Sequence, residues 1–218
     1  MTLAIFDLDN TLLAGDSDYL WGQYLVDNQL VDGEIYRQEN ERFYADYRQG
    51  KLDIFEFLAF SLRPLAAHSL EELYSWRHDY IQTRIRPIIT QKAYDLVERH
   101  RTAGDTLLII TATNRFVTEP IAELFGIENL LATDPEMDDS GYTGAVAGTP
   151  CYQEGKVTRL NIWLEETGHD LEGAWFYSDS HNDLPLLGKV DKPVAVDPDE
   201  TLRDTAKASD WPVISLRP

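Results

Sequence analysis

The stretch Ala4-Ile5-Phe6-Asp7-Leu8-Asp9-Asn10-Thr11-Leu12 decides how this chain reads. An apolar run, Leu3 to Phe6, leads straight into an aspartate. A short apolar run closed by polar residues predicts a buried strand of a parallel sheet. Asp7 then stands at the carboxyl end of that strand, where open α/β sheets bind their ligands. Asp9 lies two residues on, so in extended backbone both carboxylates point to one side. Such a pair is tolerated when a cation lies between the carboxylates or one of them holds a proton. The rival reading is a helix N-cap cluster, since Asp, Asn and Thr all cap well.

Outward from this stretch, the pattern divides the chain. From Gly15 to Arg86 it reads as successive helices with no convincing strand. Asp16 or Ser17 caps the first, which carries Leu20, Trp21, Tyr24 and Leu25. The second is more polar and stops at Gly50. Asp53 caps a third, which Pro64 ends or kinks. Ser69 and Glu72 form a capping box before a fourth. So many helical residues exceed a simple crossover, so 15–86 is expected to be an inserted helical cap, hinged near Ala14-Gly15 and Arg86-Pro87. Residues 1–14 and 87–218 are expected to form the core. There, a helix from Ile88 to Arg101 precedes a strand from Thr106 to Thr111. A helix from Phe116 to Phe125 and a short strand from Asn129 to Ala132 follow. The turn-rich segment from Asp134 to Thr149 predicts a small β-hairpin. Gly155-Lys156 opens a helix, and Ala174–Ser178 and Pro193–Val196 are further strands. Alternating β and α with right-handed crossovers predicts a doubly wound, Rossmann-like parallel sheet. Val213-Ile214 is a candidate last strand in a tail with no other readable role.

Four motifs occur in order along the chain: Asp7-x-Asp9-x-Thr11, strand-ending Thr111, Lys156, and Ser178-Asp179-x-x-Asn182-Asp183. Together they resemble the haloacid dehalogenase-like hydrolases in their phosphatase branch, and more narrowly the phosphoserine and histidinol-phosphate phosphatases. The resemblance implies that Asp7 is the nucleophile, forming an aspartyl-phosphate. It implies that Asp9 is the general acid and then the general base. Dehalogenases of the superfamily generally lack this second aspartate, which favours phosphate chemistry. Mg²⁺ is implied as cofactor, held by the Asp7 carboxylate, the Asp9 backbone carbonyl and Asp179, with Asp183 as a further or outer ligand. Lys156, Thr111 and Asn182 are implied phosphate contacts. Taken singly, Lys156 reads as a solvated surface lysine and Thr111 as an ordinary strand residue. His181 reads as a solvated loop histidine and stays outside the catalytic set.

The chain also departs from the phosphoserine phosphatases. Those typically follow the second-motif serine with two glycines, whereas Thr111 is followed by Ala112-Thr113-Asn114-Arg115. Asp16 stands where a glutamate contacts the substrate amine in those enzymes, and it reads equally well as a helix cap. From Gly15 to Arg86 there are 13 Asp or Glu against 8 Lys or Arg, with Tyr19, Trp21, Tyr24, Phe43, Tyr44, Phe57 and Phe60 among the aromatics. That balance leans toward a cationic, partly aromatic leaving group, with Arg37, Arg42 and Arg48 as candidate partners for a carboxylate. The expected substrate is therefore a small amine-bearing phosphate ester, histidinol phosphate first and phosphoserine second. A phosphotransferase on the same intermediate is a third reading. A catalytically silent binding protein would need a broken motif, and none is visible.

Composition agrees with this reading. With 218 residues and 43% apolar residues, the chain can bury a core. A net charge of −19 argues against nucleic acid and anionic membranes as partners. Cys151 stands alone, which suits a reducing compartment. The first strand begins near residue 3, no apolar run is long enough to span a bilayer, and a cytoplasmic enzyme is expected.

Overall fold

The computed structural model describes residues 2–218. Strand β1 is Leu3–Phe6, buried along its whole length. A tightly wound loop, Leu8–Leu12, follows, with Asn10 in the left-handed region at φ 55°. Then come helices α1 (Ser17–Asp27), α2 (Gly33–Arg48), α3 (Ile54–Ser61), α4 (Arg63–Ala67) and α5 (Leu70–Tyr80). Asp16 caps α1, Asp53 caps α3, and Ser69 with Glu72 caps α5, as the side-chain chemistry predicts. Pro64 does not end α3. That helix has already stopped, and Pro64 occupies the first turn of α4, where its missing N–H costs nothing.

The chain continues through α6 (Gln91–Ala103), β2 (Thr106–Asn114), α7 (Arg115–Leu124), β3 (Asn129–Asp138), β4 (Gly141–Ala147) and α8 (Glu154–Thr167). It ends with β5 (Trp175–Ser178), α9 (Leu184–Leu187), β6 (Lys192–Val196), α10 (Glu200–Ala208) and β7 (Val213–Ile214). Helix α6 starts later than its apolar pattern suggests. Arg86–Ile88 form a short 3₁₀ turn, Ile89 is extended and forms an antiparallel bridge to Leu13, and Ala14 N donates to Ile88 O at 2.8 Å. The two connections between the helices and the sheet therefore run side by side.

The seven strands lie in the order β4-β3-β2-β1-β5-β6-β7. All neighbours are parallel except the β3–β4 hairpin, whose second strand forms an edge of the main sheet. Strand β1 is central, pairing β2 through Leu3–Phe6 and β5 through Ala4–Phe6. The chain winds outward from β1 in both directions, which makes the carboxyl end of β1 the switch point of the sheet. Alternation along β1 divides the core. Ala4 and Phe6 pack among residues of the helices from α1 to α7, while Leu3 and Ile5 pack against α8, α9 and α10. No helix of the described residues is long and apolar enough to cross a membrane.

Candidate active site

The carboxyl ends of β1, β2 and β5, together with the start of α8, bring the motif residues into one buried network. Asp7 N still donates to Tyr177 O of β5 at 2.9 Å, so the nucleophile candidate is fixed by sheet pairing. Its carboxylate accepts from Lys156 Nζ at 2.7 Å and from Thr11 Oγ1 at 3.2 Å. Lys156 is only 3% exposed and also reaches Asp183, at 2.7 Å. The surface-lysine alternative therefore does not describe Lys156. Gly155 lets α8 begin there, because a Cβ at that position would lie 2.1 Å from Pro150 O. Ser178 Oγ donates to Asp183 at 2.7 Å. Asp179 is tied to Thr11 in both directions: its N–H donates to Thr11 Oγ1 at 3.0 Å, and its carboxylate accepts from that hydroxyl at 3.1 Å.

Asp9 occupies a second compartment of the network. It accepts from Ser17 N at 2.6 Å, Thr111 Oγ1 at 3.3 Å and Thr113 Oγ1 at 2.8 Å. Thr113 was not among the sequence candidates. The signal was its spacing from Thr111, which puts both hydroxyls on one side of β2. Asn114 closes the same stretch, capping α7 through Val117 N and donating to Asp18 at 3.3 Å. Thr113 and Asn114 thus bind Asp9 and the helical side with side chains.

Burial raises the Asp7 carboxyl to about 7, with Asp183 and Asp9 adding to the rise and Lys156 opposing it. Burial, then the charges of Asp7 and Asp183, also hold Asp179 well above the usual carboxylate range. Burial alone would lower Lys156, but Asp183 and Asp7 outweigh it and keep the ammonium charged. Among the described residues, Lys156 alone forms an ion pair with these aspartates. The cluster is therefore deficient in positive charge, and all its donors are oxygen, which suits a hard divalent cation. The side chains alone do not complete a cage: among the described residues no three acidic, His or Cys side chains form one. Asp7 and Asp179 both contact Thr11, and Lys156 bridges Asp7 to Asp183.

A cavity opens between this network and the helices. Asp7, Asp9, Thr111 and Thr113 line its sheet side. Asp16, Asp18, Tyr19, Asn40, Phe43, Tyr44, Tyr47 and Phe57 line the helical side, and no Lys or Arg does so. Asp16 caps α1, one oxygen accepting from Asp18 N and Tyr19 N at 3.0 and 2.8 Å, and the residue also lines the cavity. Burial and the charge of Asp9 push Asp16 well above the usual range and Asp18 to about 7. Tyr19 and Tyr44 stack at 4.6 Å. Trp21, Tyr24 and Phe60 instead pack inside the core. Arg42 pairs with Glu39 and Glu56 on the surface. Arg37 faces a different depression, and Arg48 lines an open cleft beyond Tyr44 and Tyr47 that also holds Asp179 and His181.

Asn182 does not line this cavity. It accepts from Tyr152 OH and Gln153 Nε2 at 3.0 and 2.9 Å, and donates to Tyr47 O at 3.1 Å, tying the fourth motif to α2. His181 is held by Asp199 at 2.7 Å.

Comparison with known proteins agrees with this architecture. A histidinol-phosphatase of Neisseria meningitidis serogroup C is 48% identical over 219 residues, covering 99% of each chain. A phosphoserine phosphatase of Mycobacterium tuberculosis is 29% identical, covering 98% of this chain and 70% of its own. The crystal structure of a protein with unknown function from Bordetella pertussis Tohama I superposes with a TM-score of 0.93, at 45% identity and full coverage of both chains. A phospho-aspartyl intermediate analogue of phosphoserine phosphatase shares the fold at a TM-score of 0.73 and 18% identity, covering 99% of this chain and 93% of its own. The family model for haloacid dehalogenase-like hydrolases matches residues 4–188, and the chain belongs to that family.

Proposed function

We propose that this hydrolase is a Mg²⁺-dependent phosphomonoesterase that acts on histidinol phosphate through an aspartyl-phosphate on Asp7. The observation that carries the substrate choice is the lining of the cavity: acidic and aromatic on the helical side, without Lys or Arg. Histidinol phosphate presents an amine and an imidazole to such a surface and carries no carboxylate. Phosphoserine would bring a carboxylate toward Asp16 and Asp18, with Arg37, Arg42 and Arg48 lying elsewhere. Burying that charge without a positive partner is costly. The relative named histidinol-phosphatase, similar along its whole length, supports the same choice.

In this mechanism, Asp7 attacks phosphorus and the P–O bond to the leaving alkoxide breaks. Asp9, oriented by Ser17 N, Thr111 and Thr113, gives that alkoxide its proton and then takes one from the water that cleaves the aspartyl-phosphate. Lys156 holds Asp7 in place and carries a positive charge to the phosphate site. Asp7, Asp179 and the Asp9 carbonyl would hold Mg²⁺, with Asp183 as a further or outer ligand. When bound, the ion supplies positive charge against the phosphoryl oxygens. Thr111 serves as a phosphate contact, Asp16 as a contact to the substrate amine, and Asn182 as the tie between phosphate loop and cap. Residues 15–86 act as the cap that selects the leaving group, and the setting is cytoplasmic. Turnover of p-nitrophenyl phosphate should be abolished by EDTA and restored by Mg²⁺. Full activity after exhaustive chelation would reject the metal-dependent mechanism.

A further inference from the structure

The segment after β7 reaches back to the loop that carries Asp9. Val213–Ile214 pairs with β6, and Asp197 N donates to Ile214 O at 2.9 Å. Leu216 is buried. Its N–H donates to Asp197 Oδ2 at 2.9 Å, and its carbonyl accepts from Thr90 Oγ1 at 2.7 Å. Lys92 Nζ donates to Arg217 O at 2.5 Å. Anchored in this way, the Arg217 guanidinium donates through Nη2 to the carbonyl of Asn10, while Nη1 lies 3.8 Å from Asp197 Oδ2.

Asn10 stands between Asp9 and Thr11 with φ at 55°. A non-glycine residue in that region costs of order 1–3 kcal/mol and persists only where its surroundings hold it. Here both of its backbone groups are occupied: Asn10 N donates to Gly15 O at 2.8 Å, and Asn10 O accepts from Arg217. Arg217 Nη1 is buried without a hydrogen bond among the described residues.

We propose that Arg217 is a positioning residue for the catalytic loop, fixing the Asn10–Thr11 peptide so that Asp9 and Thr11 face Asp7. The proposal rests on the reading of Asp7 and Asp9 as the reacting pair. Arg217 touches the loop that carries the general acid, so its loss should lower turnover of both substrates, and more for histidinol phosphate, whose alkoxide needs the proton, than for p-nitrophenyl phosphate.

The test uses Arg217→Ala and Arg217→Lys in the full chain with Mg²⁺, on p-nitrophenyl phosphate and histidinol phosphate. Arg217→Ala should lower kcat about tenfold on histidinol phosphate and by less on p-nitrophenyl phosphate, and leave KM within about twofold, as expected for misplaced reacting groups. Millimolar guanidinium should restore most of the lost kcat. Arg217→Lys keeps the charge and stem but loses the forked donor, and should fall between the two; it also serves as the variant to read if Arg217→Ala does not fold. Deuterium uptake of peptide 8–13 should rise in Arg217→Ala, a readout independent of turnover. Asp7→Asn separates this proposal from the reading beneath it: it should be inactive with and without guanidinium, and activity there would reject the catalytic pair while the exchange result still judges the latch. Unchanged kcat and exchange in the Arg217 variants, or a loss of kcat that guanidinium does not restore, would overturn the proposal.

Discussion

The two sides of the cavity are built differently. On the sheet side, polar side chains hold one another: Lys156 bridges Asp7 and Asp183, Thr11 joins Asp7 to Asp179, and Thr111 with Thr113 holds Asp9. On the helical side the carboxylates have no ion-pair partner among the described residues and fewer bonds to distant parts of the chain. Asp16 is fixed by backbone N–H groups of its own helix, and Asp18 by a 3.3 Å contact with Asn114. A closed network keeps reacting groups within a narrow geometry, as catalysis requires. An aromatic-lined wall with fewer such bonds can change its substrate without disturbing the chemistry behind it. Asn182 and Arg217 are where other parts of the chain grip the catalytic loops.

This contrast predicts unequal costs. The largest belongs to Lys156→Met. Removing the only cation paired with these buried carboxylates should destabilise the metal-free protein by about 3–5 kcal/mol in urea melts and abolish turnover. A loss under 1 kcal/mol would mean that the sheet-side network is not held as described. On the helical side, Asp18→Asn should leave the melt nearly unchanged. It should lower kcat/KM for histidinol phosphate by about tenfold, equivalent to about 1.4 kcal/mol, and spare p-nitrophenyl phosphate. Equal losses on both substrates would move Asp18 to the chemical side of the comparison.

A smaller effect concerns pH. Asp7 and Asp18 are raised from 3.8 to about 7, and Asp16 and Asp179 are raised as well. Between about pH 4 and 7 the folded protein therefore holds protons that the unfolded chain has released, and stability falls as pH rises through this window. Thermal melts of the metal-free protein should show Tm declining from pH 5 to pH 8. Mg²⁺ should raise Tm more at pH 8, where the carboxylates are ionised. A Tm that climbs over this range would contradict the burial of these carboxyls.

The sheet side was legible in the sequence because its residues follow apolar strands at the switch point of a parallel sheet. Asp7 and Asp179 directly follow the ends of β1 and β5, Thr111 lies three residues before the end of β2, and topology brings them together. Thr113 escaped notice because β2 runs to Asn114 instead of ending at Thr111, and a threonine in a strand has an ordinary explanation. The helical side was legible only as a balance of charge and aromatics. Helix periodicity cannot say which aromatics turn inward to the core, as Trp21 and Tyr24 do, and which face the cavity, as Tyr19 and Tyr44 do. Arg217 carried no local signal, since its contact with Asn10 depends on the whole sheet lying between them.

The claim that joins both sides is that a cation-free, acidic and aromatic wall selects a cationic leaving group. Comparing kcat/KM for histidinol phosphate and phosphoserine on the purified protein with Mg²⁺ tests it most directly. We expect at least a roughly tenfold preference for histidinol phosphate, about 1.4 kcal/mol of differential transition-state binding. Equal turnover, or a preference for phosphoserine, would contradict it.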